Sequence, residues 1–309
     1  MKVLIVCSYR DYSPHTDYAS PFVYEQVHSL ELMGCNFQYL FVKGGGVNSY
    51  YKAIFDLYRI IRSWNPDIIH AHGGLCGFIC VLQHLVPVIT TYHGSDINRS
   101  ILQVFSRIPI KFSKYNIFVS KKQIEIIKPK QNFELIPCGV DTEIFYPKDK
   151  EICRRLLGLE TDKIYILFSK GFTDRIKNYP LAKAAVDQIE NAVLIELIGY
   201  TRENVNLLMN ACDVALMTSF SEGSPQFIKE AMACNSKIVS TDVGDVREVL
   251  GDAEGCYICS YDVEDVIFKI NKCLSIKMKS ENNRKKVIEN YGLNNIARRI
   301  YQIYETVKR

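Results

Sequence analysis

The sequence predicts an α/β protein built from two parallel-sheet domains in tandem. Three observations carry that expectation. Short apolar runs alternate with helical patterns along the chain, the alternation halts once at a Pro- and Gly-bearing segment, and it then restarts. The length of 309 residues matches two domains at roughly 100–200 residues each.

In the first half, strands are expected at 3–7, 37–42, 68–71, 88–92, 116–120 and 134–136, and helices at about 21–33, 50–64, 75–85 and 121–127. Strands separated by helices require right-handed crossovers and therefore a parallel sheet. Pro137, Gly139 and Pro147 break the pattern and predict a linker near 138–150. Strands are expected again at 165–169, 193–198, 214–218, 237–240 and 256–259, with helices at 180–190, 202–211, 226–233 and 263–275. Ile296, Ile300, Ile303, Tyr304 and Val307 follow at helical spacing. The expected division is 1–145, 146–290 and a last helix, 291–309, packing back on the first domain. Ligands of parallel sheets gather at the carboxyl ends of the strands, and tandem sheets place those ends on a shared cleft.

Composition narrows the class. Hydrophobic residues are 48% and charged residues 23% of the chain, which excludes a disordered or fibrous protein. Residues 1–150 hold 16 Lys+Arg against 12 Asp+Glu, while 151–309 hold 22 of each, so the net charge of +4 lies in the first half. That is too little for a nucleic-acid partner and fits a surface that meets anionic lipid. The 11 cysteines show one isolated CxxC, Cys256 and Cys259, so buried free thiols are expected rather than a zinc site. The chain enters a strand at once, without a leader's apolar region, and 75–89 is interrupted by Gln83, His84 and Pro87. A cytoplasmic protein is expected, working at the inner face of the membrane if the basic first half meets lipid.

The sharpest segment runs from Ser219 to Ala233. It follows a strand and opens a helix, with Ser224 expected as the N-cap and Pro225 at the first helical position. Glu222 then stands in the loop beside the helix amides, where an anion is favoured. Glu230 lies two turns further on and can accept hydrogen bonds from a ribose. A solvated loop glutamate or a surface helix charge is the plain alternative, and for one Glu alone it wins. Here the pair coincides with Gly223 and the small-residue tail Ala231-Met232-Ala233.

Glu222 and Glu230, with seven residues between them, resemble the Glu-x7-Glu signature of retaining glycosyltransferases of the GT-B fold, family 4 in particular. Further resemblances run through most of the chain. They are Tyr92-His93-Gly94-Ser95-Asp96-Ile97, the linker Ile136-Pro137-Cys138-Gly139-Val140-Asp141 with Cys138 where Asn is usual, Ala211-Cys212-Asp213, and the segment from Ser240 to Glu248. The resemblance implies two Rossmann-like domains facing across a cleft, and it implies roles. Glu230 would bind the donor ribose, the backbone of Gly223 and Ser224 would hold phosphate, and Glu222 would contact the transferred sugar. His93 would sit at the reaction centre. A satisfied strand-end histidine is its alternative reading, and the Gly-Ser-Asp after it favours function.

The family also sets two cations against the diphosphate. Lys177 matches its lysine, and Lys170 or Arg175 could serve as the partner, because the usual Gly-Arg is absent. A developing negative charge on the leaving group must be neutralised, and without an Asp-x-Asp motif no metal and no cofactor is expected; the nucleotide sugar is a substrate. A second departure is Ser20 and Pro21 where the family has glycines after the first strand. Gly44-Gly45-Gly46 lacks dinucleotide-fingerprint spacing.

Lys111, Lys114, Lys121, Lys122, Lys128 and Lys130, interleaved with Ile108, Ile110, Phe112 and Tyr115, form a basic stretch. A solvated face and contact with an anionic membrane are both open for it. The expected activity is glycosyl transfer to the hydroxyl of a saccharide or lipid-linked acceptor, in bacterial-type cell-surface polysaccharide or glycolipid synthesis. A UDP-sugar 2-epimerase-like enzyme and a non-catalytic nucleotide-sugar binding module are the alternatives.

Overall fold

The computed structural model describes residues 1–8, 21–44, 46–276 and 282–308. The chain divides into two compact units, Met1–Gly139 with Leu293–Arg309, and Val140–Gly292. The sequence reading puts these divisions at 145/146 and 290/291.

Unit 1 runs β1 (Lys2–Ser8), α1 (Pro21–Glu31), β2 (Asn36–Val42), α2 (Val47–Trp64), β3 (Ile68–His72), α3 (Gly74–Cys80), β4 (Val88–Tyr92), α4 (Ser95–Asn98), α5 (Ser100–Phe112), β5 (Tyr115–Phe118), α6 (Lys121–Ile127) and β6 (Phe133–Leu135). Unit 2 runs α7 (Lys150–Leu157), β7 (Ile164–Phe168), α8 (Tyr179–Val186), β8 (Ala192–Ile195), α9 (Arg202–Ala211), β9 (Val214–Met217), α10 (Gln226–Ala233), β10 (Ile238–Thr241), α11 (Val246–Leu250), β11 (Cys256–Cys259), α12 (Val263–Ser275) and α13 (Asn282–Tyr291). The last helix, α14 (Leu293–Lys308), returns to unit 1.

The first sheet has six strands in the order β2-β1-β3-β4-β5-β6, and the second has five in the order β11-β10-β9-β7-β8. Every recorded pairing is parallel. Both faces are covered, as a sheet of crossover-linked strands demands. In β1, Val3, Ile5 and Cys7 face the core under α1 and α14, whereas Leu4 and Val6 face the core under α2 and α3. In β7, Tyr165 and Leu167 serve one core and Ile166 and Phe168 the other. The side-chain period of two along a strand produces this division.

The sequence did not predict α4, α5, α7, α11 or α13. In α5, Pro109 reads as a breaker, and the expected helix at 75–85 stops at Cys80. There the Gln83 amide donates to the carbonyls of Cys80 (3.0 Å) and Val86 (2.8 Å) and closes a turn. None of the 11 cysteines is in a disulfide, and nine are buried. Cys256 and Cys259 face opposite cores of their sheet.

The return helix α14 buries Ile296, Ala297, Ile300, Ile303, Tyr304 and Val307 against the first sheet. Its polar attachments are the Arg299 guanidinium, which donates to Glu134 (2.7 Å) and to the Leu135 carbonyl (2.6 Å), the Lys308 ammonium, 3.4 Å from Asp67, and the Tyr304 hydroxyl, 2.6 Å from Nδ1 of His70 on β3. Tyr304 and His70 are both fully buried, so removing one leaves the other unsatisfied, at about 1–3 kcal/mol. Tyr304→Phe should therefore lower the urea midpoint of unit 1. The single tryptophan, Trp64, lies in that unit and reports its unfolding by fluorescence. An unchanged midpoint would show that the Tyr304–His70 hydrogen bond adds nothing to the hold on α14.

Candidate functional site

Parallel sheets bind ligands where the chain switches from one side of its first strand to the other. In unit 2 that point lies between β7 and β9, since β8 was laid on the far side of β7. The loops leaving β7 and β9 are joined there. The Thr218 hydroxyl donates to the carbonyls of Lys177 (2.9 Å) and Asn178 (3.0 Å), and the Phe220 amide donates to Ile176 (2.8 Å). This brings Lys177 to Glu222, with Nζ 2.6 Å from Oε1. Each of these side chains is 16% exposed, and a charge pair that screened from water is worth more than a surface one.

Gly223 and Ser224 follow, both buried. The structure corrects the expected cap. Pro225, not Ser224, occupies the N-cap of α10, and no side chain caps that helix. The Ser224 hydroxyl turns instead to Oδ2 of Asp245, at 2.5 Å, and also accepts from Nζ of Lys229. Lys229 is fully buried. Its Nζ lies 3.5 Å from Asp245 Oδ2 and 5.5 Å from the centre of the Tyr291 ring. Burial pushes the Asp245 carboxyl above its usual range, against the pull of Lys229 and Ser224. Asp245 reaches this position because Gly244 takes a φ of +58°, which favours glycine. A Cβ there would also lie 2.3 Å from the Gly223 carbonyl oxygen. The turn holding Gly223 and Ser224 is thus packed from beneath by Gly244 and fastened by a buried lysine.

Glu230 is 4% exposed, which removes the reading of it as an ordinary surface charge. Its Oε1 lies 2.6 Å from a guanidinium nitrogen of Arg202, at the start of α9. The guanidinium sits 4.5 Å over the ring of buried Phe145, a stacking contact open to arginine. Lys170 and Arg175, the two candidate partners of Lys177, are both exposed. Neither has an ion-pair partner among the described residues.

In unit 1 the switch point lies between β1 and β3. The loop leaving β1, with the expected departure at Ser20, lies outside the described residues, as does Gly45; of Pro21 only the backbone is described. Strand β3 and the loop leaving β4 carry a line of three histidines. His70 and His72 share one face of β3, with ring centres 4.4 Å apart. Nε2 of His70 is 2.7 Å from the Thr91 hydroxyl. His72 Nδ1 is 3.0 Å from Nε2 of His93, and the two rings stack at 5.2 Å. Nδ1 of His93 faces Sγ of Cys138 at 3.8 Å, a contact too long and too soft to hold it against a better partner. Nε2 of His72 is buried with no hydrogen-bond partner among the described residues.

The turn carrying His93 is shaped by Asp96. Its buried carboxylate accepts from the amides of Gly94 (2.8 Å), His93 (3.1 Å) and Gly74 (3.2 Å), and so joins the ends of β3 and β4. Gly94 has a φ of 134°, a conformation that side chains rarely adopt. Burial lowers the pKa of His93 to about 4 and that of His70 to about 3, and it takes His72 well below the usual histidine range. All three rings are neutral at neutral pH.

The structure thus gathers Lys177, Glu222, Gly223, Ser224 and Glu230 on the carboxyl edge of one sheet and leaves Lys170 and Arg175 on its surface. It adds five groups the sequence reading passed over as site residues, namely His72, Arg202, Lys229, Asp245 and Asp96 in its bonding role. The spacing of His70 and His72 was a readable signal, since alternate residues of a strand share a face. Lys229 and Arg202 carried none, because a charged helix residue ordinarily faces water.

Two family models match the chain, Glycosyltransferase Family 4 over residues 19–144 and Glycosyl transferases group 1 over residues 171–275. A Bacillus subtilis protein named as a teichuronic acid biosynthesis glycosyltransferase is 25% identical over 62% of this chain, and the chain spans 57% of that relative's length. The N,N'-diacetylbacillosaminyl-diphospho-undecaprenol alpha-1,3-N-acetylgalactosaminyltransferase of Campylobacter jejuni is 21% identical, covering 83% of this chain and 81% of that protein. Among solved structures, sucrose-phosphate synthase from Thermosynechococcus elongatus superimposes with a TM-score of 0.86 at 16% identity, over 99% of this chain and 98% of its own. At that identity the likeness is one of fold.

The neutral histidines carry a pH signature. A histidine whose folded pKa lies below its unfolded value of 6.5 stabilises the fold above pH 6.5, and that contribution is lost as pH falls towards the folded value. The Trp64-reported stability of unit 1 should fall between pH 6.5 and about 4, by up to about 1.4 kcal/mol per pH unit for each such ring. His72→Gln should flatten that slope. An equal slope in the variant would mean that His72 is not held neutral.

Proposed function

We propose that this chain, whose family matches and fold support a GT-B glycosyltransferase of family 4, moves a hexosyl group from a nucleotide-sugar donor to a hydroxyl of a saccharide or lipid-linked acceptor. In the proposed reaction the bond from the anomeric carbon to the diphosphate breaks. A bond to the acceptor oxygen forms on the same face, with retention. The hydroxyl proton passes to the departing phosphate, and a nucleoside diphosphate leaves. The proposed setting is cell-surface polysaccharide or glycolipid synthesis.

The observation that carries this reading is that each glutamate of the Glu-x7-Glu spacing holds one cation on the carboxyl edge of the same sheet, Glu222 with Lys177 and Glu230 with Arg202. An arriving diphosphate competes with Glu222 for Lys177 and also meets the first amides of α10, where a helix start favours anions. Positive charge placed where negative charge develops lowers the barrier without a metal ion. Glu230, with one oxygen committed to Arg202, has its other lone pairs for the ribose hydroxyls. On the acceptor side, burial keeps the His93 ring neutral, and among the described residues its Nδ1 faces the Cys138 thiol at 3.8 Å, a contact that a hydroxyl can displace.

Three variants divide these roles. Glu230→Ala should weaken nucleotide binding by about 1.5–3 kcal/mol, the worth of a charged hydrogen bond; calorimetry that shows equal affinity would refute the ribose role. Lys177→Ala should lose nucleotide affinity and transfer rate together. His93→Ala should lose rate by a large factor and keep its nucleotide affinity, as expected for a group that acts in the transition state. A folded His93→Ala protein that transfers at the parental rate would make His93 structural.

Metal independence is tested separately. Transfer should continue in EDTA, and an absolute need for Mg²⁺ or Mn²⁺ would show that the lysine does not suffice.

A further inference from the structure

Helix α5 is built inside out. Its inward face carries small or compact residues, with Ser106 and Pro109 buried against α3. There is no room for more, since a Cβ at Gly74 would lie 1.8 Å from Ser106 Oγ and one at Gly77 would lie 2.9 Å from Pro109 Cβ. The large apolar residues stand outside. Ile101 is 75% exposed, Val104 63% and Phe112 60%, with Phe105 and Ile108 exposed between them. These positions follow the i, i+3, i+4, i+7, i+11 spacing of one helical stripe, which a globular helix normally turns to its core. An exposed contiguous stripe marks a binding surface.

What surrounds the stripe identifies its partner. Residues 100–132 contain seven Lys+Arg and one acidic residue, Glu125. Arg107, Lys111, Lys114, Lys121, Lys128 and Lys130 are exposed, and none has an ion-pair partner among the described residues. A groove of about 450 Å³ beside the stripe is lined by Arg107, Lys111, Lys128 and Lys130 together with Ile110 and Ile127. The cores of protein–protein interfaces are poor in lysine, whereas an apolar helix face rimmed by lysine and arginine suits the boundary between headgroups and acyl chains.

We propose that α5 docks on an anionic lipid bilayer, with the stripe from Ile101 to Phe112 at the acyl boundary and the surrounding cations on headgroup phosphates. The helix is tied to the His93 turn, because the Ser106 hydroxyl donates to the Asp96 carbonyl at 2.8 Å and the Asp96 carboxylate holds the amides of His93 and Gly94. Docking therefore holds the His93 turn at a fixed depth below the headgroups, where a lipid-linked acceptor would be presented. That last consequence rests on the proposed function; the docking itself does not.

The test is co-sedimentation with vesicles of phosphatidylglycerol and phosphatidylcholine, and with vesicles of phosphatidylcholine alone, in the absence of nucleotide and sugar. The protein should bind the anionic vesicles at low salt, and binding should weaken as salt screens the charges. Ile101→Ser with Phe112→Ser should weaken binding at least about tenfold, from the lost apolar contact. Lys111→Glu with Lys128→Glu should weaken binding to anionic vesicles by at least about tenfold and reduce its salt dependence. All four positions are exposed, so thermal melts should stay at the parental temperature. No binding to anionic vesicles at low salt overturns the proposal, as does parental binding by the serine variant. So does a concentration-dependent dimer in light scattering that the serine variant abolishes while vesicles stay unbound, which would assign the stripe to a second copy of the chain. Vesicle binding by a protein that transfers no sugar would sustain this proposal and refute the proposed function.

Discussion

A parallel strand cannot be followed by its neighbour through a tight turn. Each must return through a crossover, and the helices of those crossovers bury both faces of the sheet. The strand interiors are thereby closed to water, and the only polar, adaptable backbone lies at the strand ends. In both units the carboxyl edge, with its strand ends, loops and following helices, carries the chemistry-bearing side chains. His72 and His93 stand there in the first unit, and Lys177, Glu222 and Glu230 in the second. The positions of these side chains follow from the direction of the strands.

Polar groups gathered at such an edge are half inside the protein, and each must be satisfied or kept neutral. The two units solve this differently. In the first, three rings remain uncharged, and a buried carboxylate is met by three backbone amides. In the second, acidic and basic side chains are set in pairs, Lys177 with Glu222, Arg202 with Glu230, and Lys229 with Asp245. A buried ion pair is weak evidence for stability, because desolvation offsets its attraction. These pairs are better understood as holding loops in place, with Lys229 reaching Ser224 from inside the protein.

The glycines show how closely the backbone is drawn together there. Gly244 lies where a methyl group would strike the Gly223 carbonyl, and Gly74 where one would strike the Ser106 hydroxyl. The first close approach seats the turn after β9. The second lets α5 lie flat on α3 by its small residues, which leaves the large ones outside. A tight helix contact and an exposed apolar stripe are two results of one packing choice.

The eleven strands of the described residues and the long crossover helices other than α5 were legible in the sequence, because apolar period and length are local properties. Glu222 and Glu230 were legible as candidates because they bracket the start of a helix that follows a strand, and Lys177 and His93 because their segments resemble those of a known family. Helix α5 was not, since its apolar residues face outward and Pro109 interrupts it. Ser224 was expected as a cap by its position, but Asp245, 21 residues away, takes its hydroxyl. Likewise the partners of Glu230 and His93 come from other elements, Arg202 at the start of α9 and His72 at the end of β3, 28 and 21 residues distant. The sequence by itself determined the strands, their order of appearance and the residues that cap their ends. Only the tertiary structure decided which of those residues meet, because a side chain's partner depends on which strand lies beside its own, and that neighbour is set by the crossovers rather than by the local chain.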